Sequence, residues 1–194
     1  MTYCVGLKIE RGLAFMSDTR TNAGVDSIAK FGKMFVWEKP GERVIVLLTA
    51  GNLATTQAVV SILDERTKAP GERTHTLLDT PSMFQTARLV GDTVKEVIAN
   101  TAPVGQKADA FGASFILGGQ IKGTEPRLFL IYPEGNFVEA NDDTPFFQIG
   151  EVKYGKPIII RAYEPGMSFE EAAKLLMVSF DSTQKSNISV GLPL

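Results

Sequence analysis

Threonine at position 2, directly behind the initiator methionine, carries a hydroxyl and, once Met1 is removed, a free α-amine on the same residue. That pairing can do nucleophilic acyl chemistry, in which the amine takes the hydroxyl proton as the oxygen attacks a carbonyl carbon. Many chains begin Met-Thr with no catalytic consequence, so the reading depends on what lies around Thr2. Val5 to Ile9 and Leu13 to Met16 are short apolar runs separated by Glu10-Arg11-Gly12, which predicts a hairpin with a glycine-bearing turn. In an antiparallel hairpin the end of the second strand lies beside the start of the first, so Asp18 is expected near Thr2. Cys4 is a second possible nucleophile, but it has no histidine partner in view and alternates onto a strand position, so it reads as a small buried hydrophobe.

Composition narrows the classes. A chain of 194 residues, 44% hydrophobic, is long enough for one domain with a sizeable core. Twenty Lys and Arg against 22 Asp and Glu give a formal net charge of -2, with no basic field for nucleic acid. One cysteine and one histidine exclude a disulfide framework and the usual zinc sites, and no cofactor is called for. His75 reads as structural or exposed, and Asp142-Asp143 as a solvated loop without calcium-loop spacing. No stretch approaches the ~20 apolar residues of a membrane span, and no signal peptide precedes the first strand, so the chain reads as cytoplasmic.

The elements that must position Thr2 and Asp18 follow from patterning. Thr21 to Lys30 is polar and reads as a loop, followed by a second hairpin from Lys33 to Trp37 and Val44 to Thr49 around Lys39-Pro40-Gly41-Glu42. The near-continuous apolar run of its second strand predicts burial on both faces. Ala50-Gly51-Asn52 breaks that strand and opens a helix from Leu53 to about Thr67, stopped by Pro70-Gly71. Thr80-Pro81 is expected to start a second helix, whose stripe Met83, Ala87, Val90, Val94 and Val97 faces a core. Ala113 to Leu117, Leu128 to Tyr132 and Phe137 to Ala140 read as strands. A capping box at Ser168 starts a last helix to about Ser182, and Ser186 to Val190 is a final strand candidate. Two hairpins, two helices, then more strands is an α+β order with antiparallel sheet.

At this point the pattern resembles the proteasome β-subunit family, within the N-terminal-nucleophile hydrolases. The residues that carry the resemblance are Thr2, Val5-Gly6, Ser17-Asp18-Thr19-Arg20, Lys33-Met34-Phe35 and Thr49-Ala50-Gly51, in the family's order and close to its spacing. A bacterial branch of the family is similar also over Ser17 to Gly24, Ala50 to Gln57 and the Ser-Asn-Ile-Ser-Val-Gly run near the end. The resemblance implies a four-layer αββα sandwich and a peptidase acting through Thr2. It also implies Lys33 as the ammonium near the Thr2 oxygen, Asp18 as the carboxylate paired with Lys33 at the edge of the core, and Arg20 in support of that carboxylate. The Gly51 amide would donate to the oxyanion, and Ser189 would be a supporting serine. Implied partners are a peptide or unfolded protein and further copies of the chain, in a ring or spiral. The sequence specifies no ATPase partner.

The chain departs from the family in three places. Ile149-Gly150-Glu151-Val152-Lys153 stands where the family has Gly-Ser-Gly-Ser, so Glu151 replaces a serine of the site. Such a carboxylate near the α-amine would hold it protonated and weaken it as a base. Ser186 stands where an aspartate is expected, three residues before Ser189. The family also continues beyond Leu192-Pro193-Leu194, so residues 1–194 are expected to form a single domain truncated at its C-terminus. Two other functions stay open: a non-hydrolytic self-assembling scaffold on the same fold, and an amidase acting on small amides.

Overall fold

The structure, a computed structural model, describes residues 2–22, 28–68, 75–101 and 108–194. Met1 and Pro70-Gly71 lie outside the described residues. Strand β1 (Tyr3–Ile9) turns into β2 (Gly12–Ser17) with Cys4 opposite Ser17, as the hairpin pattern predicts. Where a loop was expected there is a short antiparallel ribbon, β3 (Arg20–Asn22) with β4 (Ile28–Lys30), Arg20 lying opposite Lys30. Its pairing satisfies backbone groups, a demand that polar side chains do not advertise. The second hairpin is β5 (Met34–Lys39) and β6 (Arg43–Gly51), followed by helices α1 (Leu53–Lys68) and α2 (Met83–Thr101). Strands β7 (Ala113–Ile121), β8 (Arg127–Ile131), β9 (Phe137–Glu139) and β10 (Phe146–Gly150) come next, then helices α3 (Lys156–Ala162) and α4 (Phe169–Ser186).

The strands form a five-stranded sheet in the order β5-β6-β7-β8-β9 and a three-stranded sheet in the order β10-β1-β2, all antiparallel. Three apolar cores glue four layers together. Cys4, Leu48, Ile116, Leu128 and Phe147 lie between the sheets. Ile45, Leu47, Leu63, Val90 and Phe115 join the five-stranded sheet to α1 and α2. Tyr3, Val5, Leu7, Leu176 and Phe180 join the three-stranded sheet to α3 and α4. Alternation along β1 explains why one strand serves two cores: Tyr3, Val5 and Leu7 point to the helices while Cys4 points to the other sheet. The architecture is the αββα sandwich expected from the resemblance.

Several boundaries differ from the sequence reading. Ser82, rather than Thr80, caps α2: its Oγ accepts the Gln85 N–H at 3.2 Å, while the Thr80 hydroxyl is engaged in a buried 2.7 Å bond with that of Thr86. Ser168 and Glu171 form the predicted capping box, but α4 runs on to Ser186, so Ser186 to Val190 is not a strand. Its apolar content reads as strand-like, yet the segment turns instead, with the Val190 N–H on the Asn187 carbonyl at 3.1 Å. Strand β10 and helix α3 had no reading in the sequence, because Phe146 to Gly150 is short and α3 carries a proline in its first turn.

Helix α2 is seated by a glycine. At Gly91 an added Cβ would run into the backbone oxygen of Gly135, in the turn between β8 and β9. Because the obstacle is main chain, Gly91→Ala cannot be relieved by a side-chain rotation. It is expected to lower the unfolding free energy by about 1–3 kcal/mol, read from the midpoint of urea denaturation.

Candidate active site

The antiparallel hairpin delivers Asp18 to the chain start. The Tyr3 N–H donates to Asp18 Oδ1 at 3.0 Å, and the Asp18 N–H donates to the Tyr3 carbonyl at 3.1 Å. Lys33 precedes β5, where its carbonyl accepts the Thr49 N–H at 2.9 Å and so ties it to β6. Its ammonium donates to Asp18 Oδ1 at 2.7 Å and to the Arg20 carbonyl at 2.5 Å. Asp18 is fully buried and Lys33 is 5% exposed, deeper than the core-edge position expected. A lysine and an aspartate can occupy such a place only as a pair with their remaining polar valences filled. The second Asp18 oxygen accepts the Gly191 N–H at 3.3 Å.

Thr2 is 9% exposed and precedes β1. Its carbonyl accepts the Glu151 N–H at 2.6 Å, and the neighbouring Gly150, at φ +84°, lies so close that a Cβ there would strike the Thr2 carbonyl. Thr2, Lys33, Phe35, Gly51, Leu53 and Gly150 line one cleft of about 330 Å³. A larger groove of about 580 Å³ between α3 and α4 is lined mainly by apolar and surface side chains and contains none of these groups. Gly51 ends β6 at φ +114°, where an added Cβ would come within 2.5 Å of the Gly112 oxygen. Only glycine permits this backbone at the cleft wall. Asn52 then caps α1, its Oδ1 accepting the Thr55 N–H at 3.1 Å.

The segment after α4 braces this floor. Arg20 does not pair with Asp18. Its guanidinium donates to the Ile188 carbonyl at 2.8 Å and packs against Gly191, so it reaches the carboxylate only through the segment that holds it. The Thr19 hydroxyl donates to the Pro193 carbonyl at 2.8 Å. The Ser189 N–H donates to Asn187 Oδ1 at 3.0 Å, and the Asn187 amide donates to Glu151 Oε2 at 2.7 Å. Glu151 Oε1 accepts the N–H groups of Val152 and Lys153 at 2.9 and 2.8 Å. Burial raises the Glu151 pKa, but these bonds and the Lys153 charge outweigh it and hold the carboxyl below its ordinary value. Asn187 was not singled out in the sequence, although it directly follows Ser186, where a departure from the family was visible. Gly191 gave no signal, because its contribution is a backbone N–H.

Cys4 is fully buried between the sheets, and burial pushes its thiol far above the ordinary range, which leaves no reactive thiolate. Among the described residues His75 is exposed, 3.8 Å from Asp79, and Asp142 and Asp143 are exposed.

Two stacked antiparallel sheets between helical layers, with the chain start in a cleft at their end, are the architecture of the N-terminal-nucleophile hydrolases. The family model for proteasome subunits matches residues 2–191. The chain is similar to the Anbu (Gly-1) mutant from Hyphomicrobium sp. strain MC1, with 56% identity, all of this chain and 79% of that chain covered, and a TM-score of 0.90. Anbu (ancestral β-subunit) from Yersinia bercovieri shares 51% identity over 99% of this chain and 78% of that one, with a TM-score of 0.92. The helical assembly of the Anbu complex from Pseudomonas aeruginosa gives 47% identity over 99% and 78%, with a TM-score of 0.91. A comparison with functionally curated proteins gives no match. The chain belongs to the proteasome subunit family and, within it, to the Anbu type.

Because Asp18 and Lys33 are buried against each other, Asp18→Asn strands an ammonium in the core. It is expected to cost about 3–5 kcal/mol in urea denaturation, and combining it with Lys33→Met is expected to cost clearly less than the two single changes summed. Glu151 gives a pH-dependent contribution of opposite sign to a raised base. Its folded pKa is depressed, so the stabilisation is present above the ordinary value of 4.5 and lost as pH falls through the lower folded value. The stability gap between the native chain and Glu151→Gln is expected to narrow across that acid window and to stay constant from pH 6 to 8, by parallel denaturation curves.

Proposed function

We propose that this chain is a proteasome-type threonine peptidase that hydrolyses peptide bonds through Thr2. The observation that carries the reading is the sharing of one cleft by Thr2 and Lys33, with the Lys33 ammonium fixed on the fully buried Asp18. In this mechanism Met1 is first removed. The Thr2 hydroxyl then attacks the scissile carbonyl carbon and passes its proton to the α-amine, while the Lys33 charge favours the developing alkoxide. The Gly51 N–H donates to the carbonyl oxygen as it becomes an oxyanion. The carbon–nitrogen bond breaks, the leaving amine takes the proton, and an ester to Thr2 remains. Water, deprotonated by the same amine, attacks that ester, the bond between the acyl carbon and the Thr2 oxygen breaks, and the amine returns the proton to that oxygen as the acid leaves. Arg20 and Ser189 support the floor beneath Asp18 and Glu151.

The substrates in this reading are peptides or unfolded protein, and the compartment is the cytoplasm. Among the described residues no helix is long and apolar enough to cross a membrane. Residues 1–194 act as a single domain, and the working form is a homo-oligomer, a reading supported by the helical assembly of the Pseudomonas aeruginosa relative. Glu151 at the serine position favours a second reading, a scaffold without productive turnover, because an anion near the α-amine opposes its use as a base.

Intact mass after exposure to a peptide epoxyketone, which engages hydroxyl and amine together, tests the proposal. Protein lacking Met1 is expected to gain the full reagent mass at Thr2, and protein retaining Met1 is expected to gain none. Glu151→Ser should label faster at neutral pH. Equal labelling with and without Met1 would remove the amine from the mechanism, and no labelling of the processed protein would leave the scaffold.

A further inference from the structure

Tyr3 follows Thr2 directly, and its backbone is pinned on the carboxylate that holds the Lys33 ammonium. The Tyr3 N–H and Lys33 Nζ share Asp18 Oδ1, at 3.0 and 2.7 Å, and the Tyr3 carbonyl accepts the Asp18 N–H at 3.1 Å. A shift of Tyr3 therefore moves the hydroxyl-bearing residue and the ammonium together. The Tyr3 side chain points away from both, into the layer of α3 and α4, and is fully buried. There its phenolic oxygen accepts from the Gln148 amide at 2.6 Å and lies 2.7 Å from Ser179 Oγ, while the Ser179 hydroxyl donates to the Gly155 carbonyl at 3.1 Å. Because the Ser179 proton is committed to that carbonyl, Tyr3 is the donor to Ser179. One directed chain of hydrogen bonds thus runs from β10 through Tyr3 and α4 to the residue that opens α3. Burial raises the Tyr3 pKa against the lowering effect of these bonds, so the phenol keeps its proton and stays a donor.

Gly155 shows that room is reserved for this chain. At φ −85° and ψ −30° its backbone suits any residue, so conformation does not call for glycine. An added Cβ would instead strike the hydroxyl oxygens of Tyr3 and Ser179. Tyr3, Gln148, Ser179 and Gly155 all lie outside the lining of the Thr2 cleft. We propose that the Tyr3 hydroxyl positions the reacting groups, fixing Thr2 and the Asp18–Lys33 pair in register with the α3 and α4 layer, and that Gly155 keeps the space this requires. The proposal rests on the threonine-peptidase reading and adds to it residues that set the rate of attack without touching the substrate. Misplacing reacting groups by about 1 Å costs on the order of 100-fold in rate, so a small slackening behind the cleft is enough.

The test uses protein shown by intact mass to lack Met1 and follows its labelling by the peptide epoxyketone over a range of reagent concentrations. Tyr3→Phe keeps the ring, whose centroid lies 4.3 Å from that of Phe180, and removes only the hydroxyl. Its limiting rate is expected to fall at least about tenfold, while the half-saturating concentration stays within about twofold of the native value. Ser179→Ala should show the same split, and the double variant should lose no more than about twofold beyond Tyr3→Phe, because both changes break one chain. Gly155→Ala, which deletes no polar group, should slow the limiting rate as well. Gly91→Ala, in the other helical layer, controls for lost stability and should label as the native chain does. Limiting rates within about twofold of native in Tyr3→Phe and Gly155→Ala would overturn the proposal while leaving Thr2 as the nucleophile. So would an equal fall in Gly91→Ala, or a change confined to the half-saturating concentration. No labelling of the native processed protein would overturn the peptidase reading and this proposal with it.

Discussion

A single carboxylate, that of Asp18, ties together parts of the chain that share no sequence neighbourhood. Its Oδ1 accepts from the Tyr3 backbone and from the Lys33 ammonium, and its Oδ2 from the Gly191 backbone. A fully buried charge tolerates no missing donor, so each of these segments is held to within hydrogen-bond tolerance of the others. The start of β1, the entry to β5 and the turn after α4 are thereby fixed at one point. Lys33 repeats the logic through the Arg20 carbonyl, which draws in the first residue of the β3–β4 ribbon.

The layered fold is what makes such a point possible at the edge of two sheets. Each residue of β1 after Thr2 faces either the helical layer or the opposing sheet, so the strand can slip neither along nor across its neighbours without exposing a core face. Tyr3 adds a polar lock. Its phenolic oxygen accepts from the Gln148 amide at 2.6 Å and shares a 2.7 Å bond with the Ser179 hydroxyl, and its ring stacks near Phe180 with centroids 4.3 Å apart. The residue directly behind Thr2 is therefore anchored to β10 and to α4 together.

Much of this was legible in the sequence, and the reasons are specific. Glu10-Arg11-Gly12 between two apolar runs set the first hairpin, and with it the approach of Asp18 to Thr2. The stripe from Met83 to Val97 marked a helix face that does lie in the core, apart from a two-residue misreading of its cap. The αββα order followed from resemblance and was consistent with the element order. Long-range use of backbone groups was hidden. The Gly191 N–H on Asp18, the Ile188 carbonyl under Arg20 and the Pro193 carbonyl under Thr19 involve no side-chain chemistry of residues 188–193, so no pattern of residue types could announce them. The β3–β4 ribbon was missed for the same reason: its stabilisation is the ladder itself. Glu151 was visible as a departure, but its engagement by Asn187 required two segments 36 residues apart to be placed side by side.

The brace formed by residues 187–193 has a consequence for the order of events on the ribosome. Gly191 and Asp18 are separated by 173 positions, so the donor of that bond leaves the exit tunnel long after its acceptor. Contacts of such separation are the slow ones, because a long loop must close before they form. A nascent chain that has already folded its β1–β2 hairpin carries Asp18 with an oxygen still open to water and Glu151 without Asn187. The surroundings of Thr2 are completed only once residues 187–191 have emerged, which gives the polypeptide a built-in delay between making its first strand and closing the pocket around it.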